Sequence, residues 1–189
     1  MILPIYIYGQ QVLRKVSEDI PATYPDMSTL ISDMFETLTA SDGVGLAAPQ
    51  IGKNIRVVVI DLNVIAEDVP EYKGFRKAYI NPHIIGYDES GTSVSEEGCL
   101  SLPGIREKVT RPTRVHVTYT DETGAAHDEW AAGYLARVMQ HEFDHLEGTL
   151  FIDRLSPLRR QLIRGKLKAL LQGRYSCAYK TKAAARRRQ

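Results

Sequence analysis

The residues with the clearest chemical potential are two histidines four positions apart, His141 and His145, with Glu142 beside the first. On a helix, positions i and i+4 lie on one face, so both imidazoles can reach a single divalent cation. Glu142 lies about 100° round the helix from His141, close enough to handle the proton of a metal-bound water. The pattern indicates hydrolysis. Such a motif also arises by chance in about one in a few hundred chains of this length, on an ordinary solvated helix.

A catalytic metal normally has three protein ligands, so a third is needed. No histidine follows His145, and Phe151 stands where a longer metalloprotease motif would have one. Asp153 is a weak downstream candidate, as in aspartate-type zinc proteases. The remaining candidates lie upstream: His83, Cys99, His116 and His127.

Cys99 is favoured among these by its context. Gly98 before it permits a close backbone approach, so the thiolate could face a cleft. The alternative is an inert buried cysteine, which is the usual fate of a lone cysteine in a core. His116 and His127 fall in strand-like segments and are interpreted as ordinary surface or core residues.

Three separated segments closely resemble the peptide deformylase family. They are GVGLAAPQ at 43–50, EGCLS at 97–101 and QHEFDHLEG at 140–148. Their order and spacing also fit, and the resemblance spans roughly residues 1 to 172. It implies that the chain removes the N-formyl group from the N-terminal methionine of new proteins and releases formate. The alternative is a zinc metalloendopeptidase of the H-E-x-x-H type.

The resemblance also implies the roles of individual residues. The metal ligands would be Cys99, His141 and His145, with Glu142 as the base, while the Gln50 side chain and the Leu100 backbone N–H would bind the oxyanion. It implies one divalent metal, with Fe(2+) as the native ion. Zn(2+), Ni(2+) or Co(2+) also accept these donors.

Candidate substrate contacts lie in the same segments. Backbone near Val44 and Gly45 is expected to pair with an extended peptide. Tyr134 and Val138 share the helical face of His141 and would form the methionine pocket with Val44 opposite, although Tyr134 is equally consistent with a core position. Gly98 and Arg106 are also expected to contact the substrate. Two ion pairs are expected near the site: Glu97 with Arg106 beside the cleft, and Asp144 with Arg111, which would support the metal-binding helix.

Hydrophobic periodicity and turn signals predict an α+β fold. Antiparallel or mixed sheets would surround a central metal-binding helix, with one helix N-terminal and one C-terminal to it. The helices are expected at 26–40, with Asp26 as N-cap, at 134–147, ended by Gly148, and at 156–172, with Ser156 as N-cap and Gly173 closing it. Strands are expected at 55–60, 77–87, 92–96, 105–119 and 126–131.

Length predicts one catalytic domain, residues 1–173, followed by a basic tail, 174–189, expected to be disordered. Two cysteines provide no disulfide framework, and a signal peptide is not expected, so we expect a cytoplasmic protein. The net charge of +1 argues against DNA or a membrane as partner. The expected partners are N-formylmethionyl nascent chains. Ribosome contact through the tail or the last helix is a further hypothesis, and the helix residues concerned are Arg159, Arg160, Arg164, Lys166 and Lys168. Another alternative is a non-catalytic adaptor whose metal is structural.

Overall fold

The computed structural model describes residues 1–89 and 91–183 and confirms the α+β class. Its α-helices are α1 (Met27–Ala40), α2 (Gly133–Leu146), α3 (Pro157–Leu162) and α4 (Arg164–Leu171). Its strands are β1 (Ile5–Tyr6), β2 (Gly45–Ala47), β3 (Val57–Asp61), β4 (Arg76–Tyr87), β5 (Thr92–Gly98), β6 (Arg106–Pro112), β7 (Arg114–Thr120), β8 (Ala126–Ala132) and β9 (Thr181–Lys182).

The strands form three sheets in the described part of the chain. The largest is antiparallel, in the order β2-β3-β4-β7-β8, so β2 is an edge strand. Strands β5 and β6 form a separate antiparallel pair, and β1 pairs with β9 in parallel. The prediction of antiparallel or mixed sheets is therefore confirmed in its antiparallel form, with β1 and β9 as a separate parallel pair.

Strand β3 explains why α2 lies at the centre of the molecule. All five of its residues are buried, which is typical of a strand covered on both faces. Val57 and Val59 belong to the core that contains α1, whereas Val58 and Ile60 belong to the core that contains α2. Because neighbouring strand residues point to opposite faces, the strand separates the two helices.

The end of α2 fixes the geometry of its last turn, which carries His145. Gly148 has φ +65° and donates its N–H to the His145 carbonyl, while Thr149 donates to the Asp144 carbonyl. This is the Schellman arrangement, in which a left-handed residue favours glycine. A Cβ at Gly148 would also lie 2.7 Å from the Arg14 backbone. The predicted helix end is confirmed.

Three local predictions are wrong in detail. The segment 105–119 is two strands in different sheets, because Pro112 has no N–H to continue the ladder and the chain turns at Thr113. The last helix is divided at Ile163, whose side chain is buried between exposed neighbours. Asp26 occupies the N-cap position of α1 as predicted, but it has φ 55° and its side chain makes no cap bond.

Residues 174–183 correct the expectation of a disordered tail. Ile5 N–H donates to the Lys180 carbonyl at 2.9 Å, and Ile7 N–H donates to the Lys182 carbonyl at 3.0 Å. Tyr175 and Tyr179 pack against the core. The segment is held because it supplies the partner strand of β1 and buries aromatic rings. The rest of the predicted tail, 184–189, lies outside the described residues.

Among the described residues, no helix combines the length and the apolar character needed to cross a bilayer.

Candidate metal centre and substrate cleft

Two elements bring three potential ligands together. Cys99 follows β5 directly and begins a turn that is closed by the Leu102 N–H donating to the Cys99 carbonyl at 2.9 Å. His141 and His145 lie on successive turns of α2. The ligand atoms of these three residues all lie within 4.8 Å of one another, and Cys99 Sγ is 3.3 Å from His145 Nε2. A thiol and two imidazoles at this separation fit one divalent cation.

The buried carboxylate of Glu97 orients His141. Its Oε2 accepts a hydrogen bond from His141 Nδ1 at 2.9 Å. Burial alone would raise the pKa of Glu97, but hydrogen bonds from Arg111 and His141 outweigh it and hold the pKa well below its usual range. Since the ionised carboxylate can only accept, Nδ1 carries a proton, and Nε2 is the ring nitrogen that remains available as a metal ligand.

Further charges extend this network beneath α2. Glu97 Oε1 accepts from Arg111 Nε at 2.6 Å and from Arg137 Nη1 at 2.7 Å. Arg111 Nη1 donates to Asp144 Oδ2 at 2.9 Å, so the predicted Asp144–Arg111 pair is confirmed. Arg154 Nε donates to the same oxygen. Arg111 is only 1% exposed, and it ties the β5–β6 pair to the metal-binding helix.

The predicted Glu97–Arg106 pair is wrong. Arg106 lies opposite Gly98 in the β5–β6 register and donates instead to Glu96, at 2.7 Å. Side chains on a strand alternate between faces, so Glu96 shares the exposed face with Arg106. Glu97 points the other way, to the same face as Arg111.

The electrostatics of the imidazoles suit a cation. Burial lowers the pKa of His145 well below its usual value, so the ring is neutral and one of its nitrogens can bind a metal. Burial would also lower the pKa of His141, but Cys99 and Glu97 beside it raise the pKa well above its usual value. The hydrogen bonds of His141 to Cys99 and Glu97 therefore favour positive charge at this point. The residues fit a divalent metal.

Glu142 lies at the cleft in a space that Gly45 leaves open. A Cβ at Gly45 would lie 2.5 Å from Glu142 Oε1 and 2.8 Å from its Cδ. Burial raises the pKa of Glu142 to about 7. Its Oε2 is buried and has no hydrogen-bond partner among the described residues, so one carboxyl oxygen keeps its bonding capacity unused.

Gln50 and Leu100 bring two N–H groups to the same place. Gln50 Oε1 accepts from the Ala47 N–H at 2.9 Å, which aims Nε2 at Cys99 Sγ, 3.5 Å away, and at Ser101 Oγ, 3.3 Å away. Within residues 1–89 and 91–183, the Leu100 N–H has no hydrogen-bond partner. Both are donors beside the three potential ligands.

A cleft of about 730 Å³ opens above this centre. It is lined by Gln50, Cys99, Leu100, His141 and Glu142, and by every residue predicted to contact substrate: Val44, Gly45, Gly98, Arg106, Tyr134 and Val138. The three upstream histidines do not line it. His83, His116 and His127 each lie against a surface carboxylate instead.

Comparison with known proteins decides the family. The model of the polypeptide deformylase family matches residues 2–161, which contain the whole centre. The chain belongs to the polypeptide deformylase family. The deformylase family is metal-dependent, in agreement with the clustered cysteine and histidines.

Individual deformylases are similar over nearly the full length. The peptide deformylase of Flavobacterium johnsoniae is 44% identical over 193 residues, with 98% of this chain and 97% of that protein covered. The crystal structure of a peptide deformylase from Legionella pneumophila has TM-score 0.79 and 38% identity, covering 93% of this chain and 100% of that one. The Thermotoga maritima structure has TM-score 0.74 and 41% identity, covering 83% and 99%.

Three features of the centre were not predicted from the sequence. They are the Glu97 bond to His141, the space that Gly45 leaves for Glu142, and the Ser176–Tyr179 segment in the cleft wall. The alternation of side chains along β5 and β6 could have placed Glu97 on the buried face, beside Arg111. No sequence pattern indicated the space at Gly45 or the position of the Ser176–Tyr179 segment.

Proposed function

We infer that this protein removes the N-formyl group from the N-terminal methionine of newly synthesised proteins by metal-dependent hydrolysis, releasing formate. Family membership supports the reaction. One observation carries its assignment to this centre: the donor atoms of Cys99, His141 and His145 cluster within 4.8 Å beneath an open cleft, and Glu142 lines that cleft.

The metal would be held by Cys99 Sγ, His141 Nε2 and a ring nitrogen of His145. When bound, a divalent ion supplies a Lewis acid that lowers the pKa of water and polarises the formyl carbonyl. We propose Fe(2+) as the native ion, with Zn(2+), Ni(2+) or Co(2+) able to occupy the site. Glu97 keeps His141 in the tautomer that ligation requires.

Glu142 is the proposed proton carrier. Its carboxylate accepts a proton from the attacking water and then donates it to the departing amine. A pKa of about 7 suits both steps, because the group can exist in either form near neutrality. Burial and the close approach of Gly45 hold the carboxyl in place.

Gln50 Nε2 and the Leu100 N–H are the proposed donors to the oxyanion that forms on the formyl oxygen. Both are positioned before the reaction, Gln50 by its bond from Ala47 and Leu100 by the turn that follows Cys99. Preorganised donors of this kind each lower the barrier by about 3 kcal/mol.

The substrate is proposed to lie extended along the edge of β2. The Val44 carbonyl accepts from Asp61 in β3, so by strand alternation the N–H and carbonyl of Gly45 point to the unpaired edge. A peptide strand can add there by backbone hydrogen bonds. Tyr134 and Val138, with Val44, would form the methionine pocket, and Gly98 and Arg106 the opposite wall.

A zinc endopeptidase is not favoured. Asp153, its only downstream candidate ligand, binds Arg14 and the Leu150 N–H and is absent from the cluster. A structural site in an adaptor would need a fourth protein ligand, and the described cluster has three.

Formate release tests the function. Anaerobically prepared protein should release formate from a formyl-Met-Ala-Ser peptide and leave the matched N-acetyl peptide uncut. Cleavage of an internal peptide bond in the acetylated peptide, without formate release from the formylated one, would support an endopeptidase instead.

Cytoplasmic location and ribosome contact are further proposals. Arg164 and Lys168 are exposed on α4, where a basic surface could meet ribosomal RNA. The double change Arg164→Glu with Lys168→Glu should weaken ribosome co-sedimentation, and a chain ending at Ala183 tests the last six residues separately. Unchanged binding in both proteins would contradict the contact.

A further inference from the structure

The C-terminal strap, defined as residues 175–183, lies against the active-site turn. Its strand β9 pairs with β1, and the next residues of the β1 segment reach the turn, where the Tyr8 N–H donates to the Ser101 carbonyl at 2.9 Å. Ser176 to Tyr179 also line the cleft. The strap is therefore part of the site wall, although it follows the residues that match the family model.

Tyr179 makes a direct bond from the strap to the turn. Its Oη donates to the Leu100 carbonyl at 2.7 Å. Within the described residues this is the only hydrogen bond to that carbonyl. Burial raises the pKa of Tyr179 well above its usual value, so the hydroxyl keeps its proton and remains a donor at neutral pH.

The position of this carbonyl in the turn gives the bond its importance. The turn is closed between Cys99 and Leu102, so the peptide between Leu100 and Ser101 is its central one. The central peptide of a β-turn takes no part in the closing bond, so its carbonyl is free to bind a group outside the turn. The bond from Tyr179 to the Leu100 carbonyl therefore anchors the whole turn to the strap.

Both proposed oxyanion donors depend on the position of this turn. The Leu100 N–H belongs to the turn itself, and Gln50 Nε2 contacts Ser101 Oγ at 3.3 Å. Movement of the turn away from the strap would therefore shift the Leu100 N–H and weaken the contact of Gln50 Nε2 with Ser101. Fixed donors matter most when charge develops in the transition state.

We propose that Tyr179 is a positioning residue for the hydrolytic reaction: its hydroxyl anchors the Cys99–Leu102 turn through the Leu100 carbonyl and thereby aligns the Leu100 N–H and the Gln50 amide. This inference rests on the proposed function. In this proposal the strap contributes to catalysis by positioning the two oxyanion donors.

The test compares Tyr179→Phe with the matched variant Tyr175→Phe. Tyr175 Oη makes a hydrogen bond within the strap, to Thr181 Oγ1 at 3.0 Å, and among the described residues it makes none to the turn. Both changes keep the ring and remove one hydroxyl. Loss of one neutral hydrogen bond should lower kcat of Tyr179→Phe about three- to tenfold, with KM and metal content unchanged. Tyr175→Phe should retain the wild-type kcat.

A second measurement separates positioning from loosening of the strap. In the zinc-loaded protein, the ¹⁵N amide signal of Leu100 should move in Tyr179→Phe and stay in Tyr175→Phe. A wild-type kcat in Tyr179→Phe, or equal losses in both variants, would overturn the proposal. Absence of formate release by the wild type would instead overturn the proposed function, so the two failures are distinguishable.

Discussion

The substitution Glu97→Gln tests the charge network that supports the metal helix. Glu97 accepts two hydrogen bonds from Arg111, one from Arg137 and one from His141, at 2.6–2.9 Å. Glutamine has nearly the same shape but no charge, and its NH₂ group must face a donor. Two buried arginines would lose their shared counter-charge.

The expected loss of unfolding free energy follows from this geometry. Removing one partner of a buried ion pair costs about 3–5 kcal/mol, and Arg111 keeps its bond to Asp144, so we expect about 3 kcal/mol. His141 also loses the acceptor that holds its tautomer. Loss of such a partner typically lowers metal affinity about 10- to 100-fold.

Glu96→Gln is the matched control. Glu96 precedes Glu97 in the chain but lies on the exposed face of β5, where its pair with Arg106 is solvated. Exposed pairs contribute about 0–1 kcal/mol, so this variant should resemble the wild type. Urea unfolding and competition with a chelator measure the two effects. Equal stability and equal metal affinity in the two variants would refute the assigned role of Glu97.

Three further predictions concern single positions. Gly45→Ala should lower kcat/KM at least about tenfold, because the new Cβ would displace the Glu142 carboxyl. Steady-state formate release measures this effect, and an unchanged rate would contradict the position given to Glu142. Gly165→Ala should raise stability by about 0.5–1 kcal/mol, since the residue is helical with open space around its Cβ position; a lower Tm would contradict this. The pKa of Glu97 is lowered by folding, so its contribution is complete above the unfolded pKa of 4.5 and is lost as pH falls below it. The difference in unfolding free energy between wild type and Glu97→Gln, measured by urea unfolding, should therefore shrink below pH 4.5. A difference that grows below this pH would contradict the claim that folding lowers the pKa of Glu97.

The parts of the site predicted from the sequence are those encoded by local spacing. The i, i+4 histidines require only a helix, and Gly148 marks its end in the sequence. Cys99 was favoured by the glycine before it, but its role as a metal ligand rested on the family resemblance, because no local rule excludes the three upstream histidines. The roles of Gln50, Leu100 and Glu142 remain predictions that their positions in the structure support.

Long-range pairing accounts for what the sequence did not reveal. The partner of Glu97 depends on which face of β5 is buried, and this follows from the β5–β6 register. Strand β9 has only two residues in a basic segment, whose charge is typical of a solvated end. This segment is ordered because β9 pairs with β1 and because Tyr175 and Tyr179 pack against the core. Strand β1 lies more than 160 residues before these tyrosines in the chain.

The most direct test of the central claim is formate release by Glu142→Gln, measured anaerobically together with bound metal. The substitution keeps the shape of the side chain beside Gly45 and leaves Cys99, His141 and His145 intact, so the metal content should match that of the wild type. Release of formate from the formyl-Met peptide should fall at least about 100-fold, because no group remains to carry the proton. Wild-type turnover with a full complement of metal would contradict the proposed mechanism.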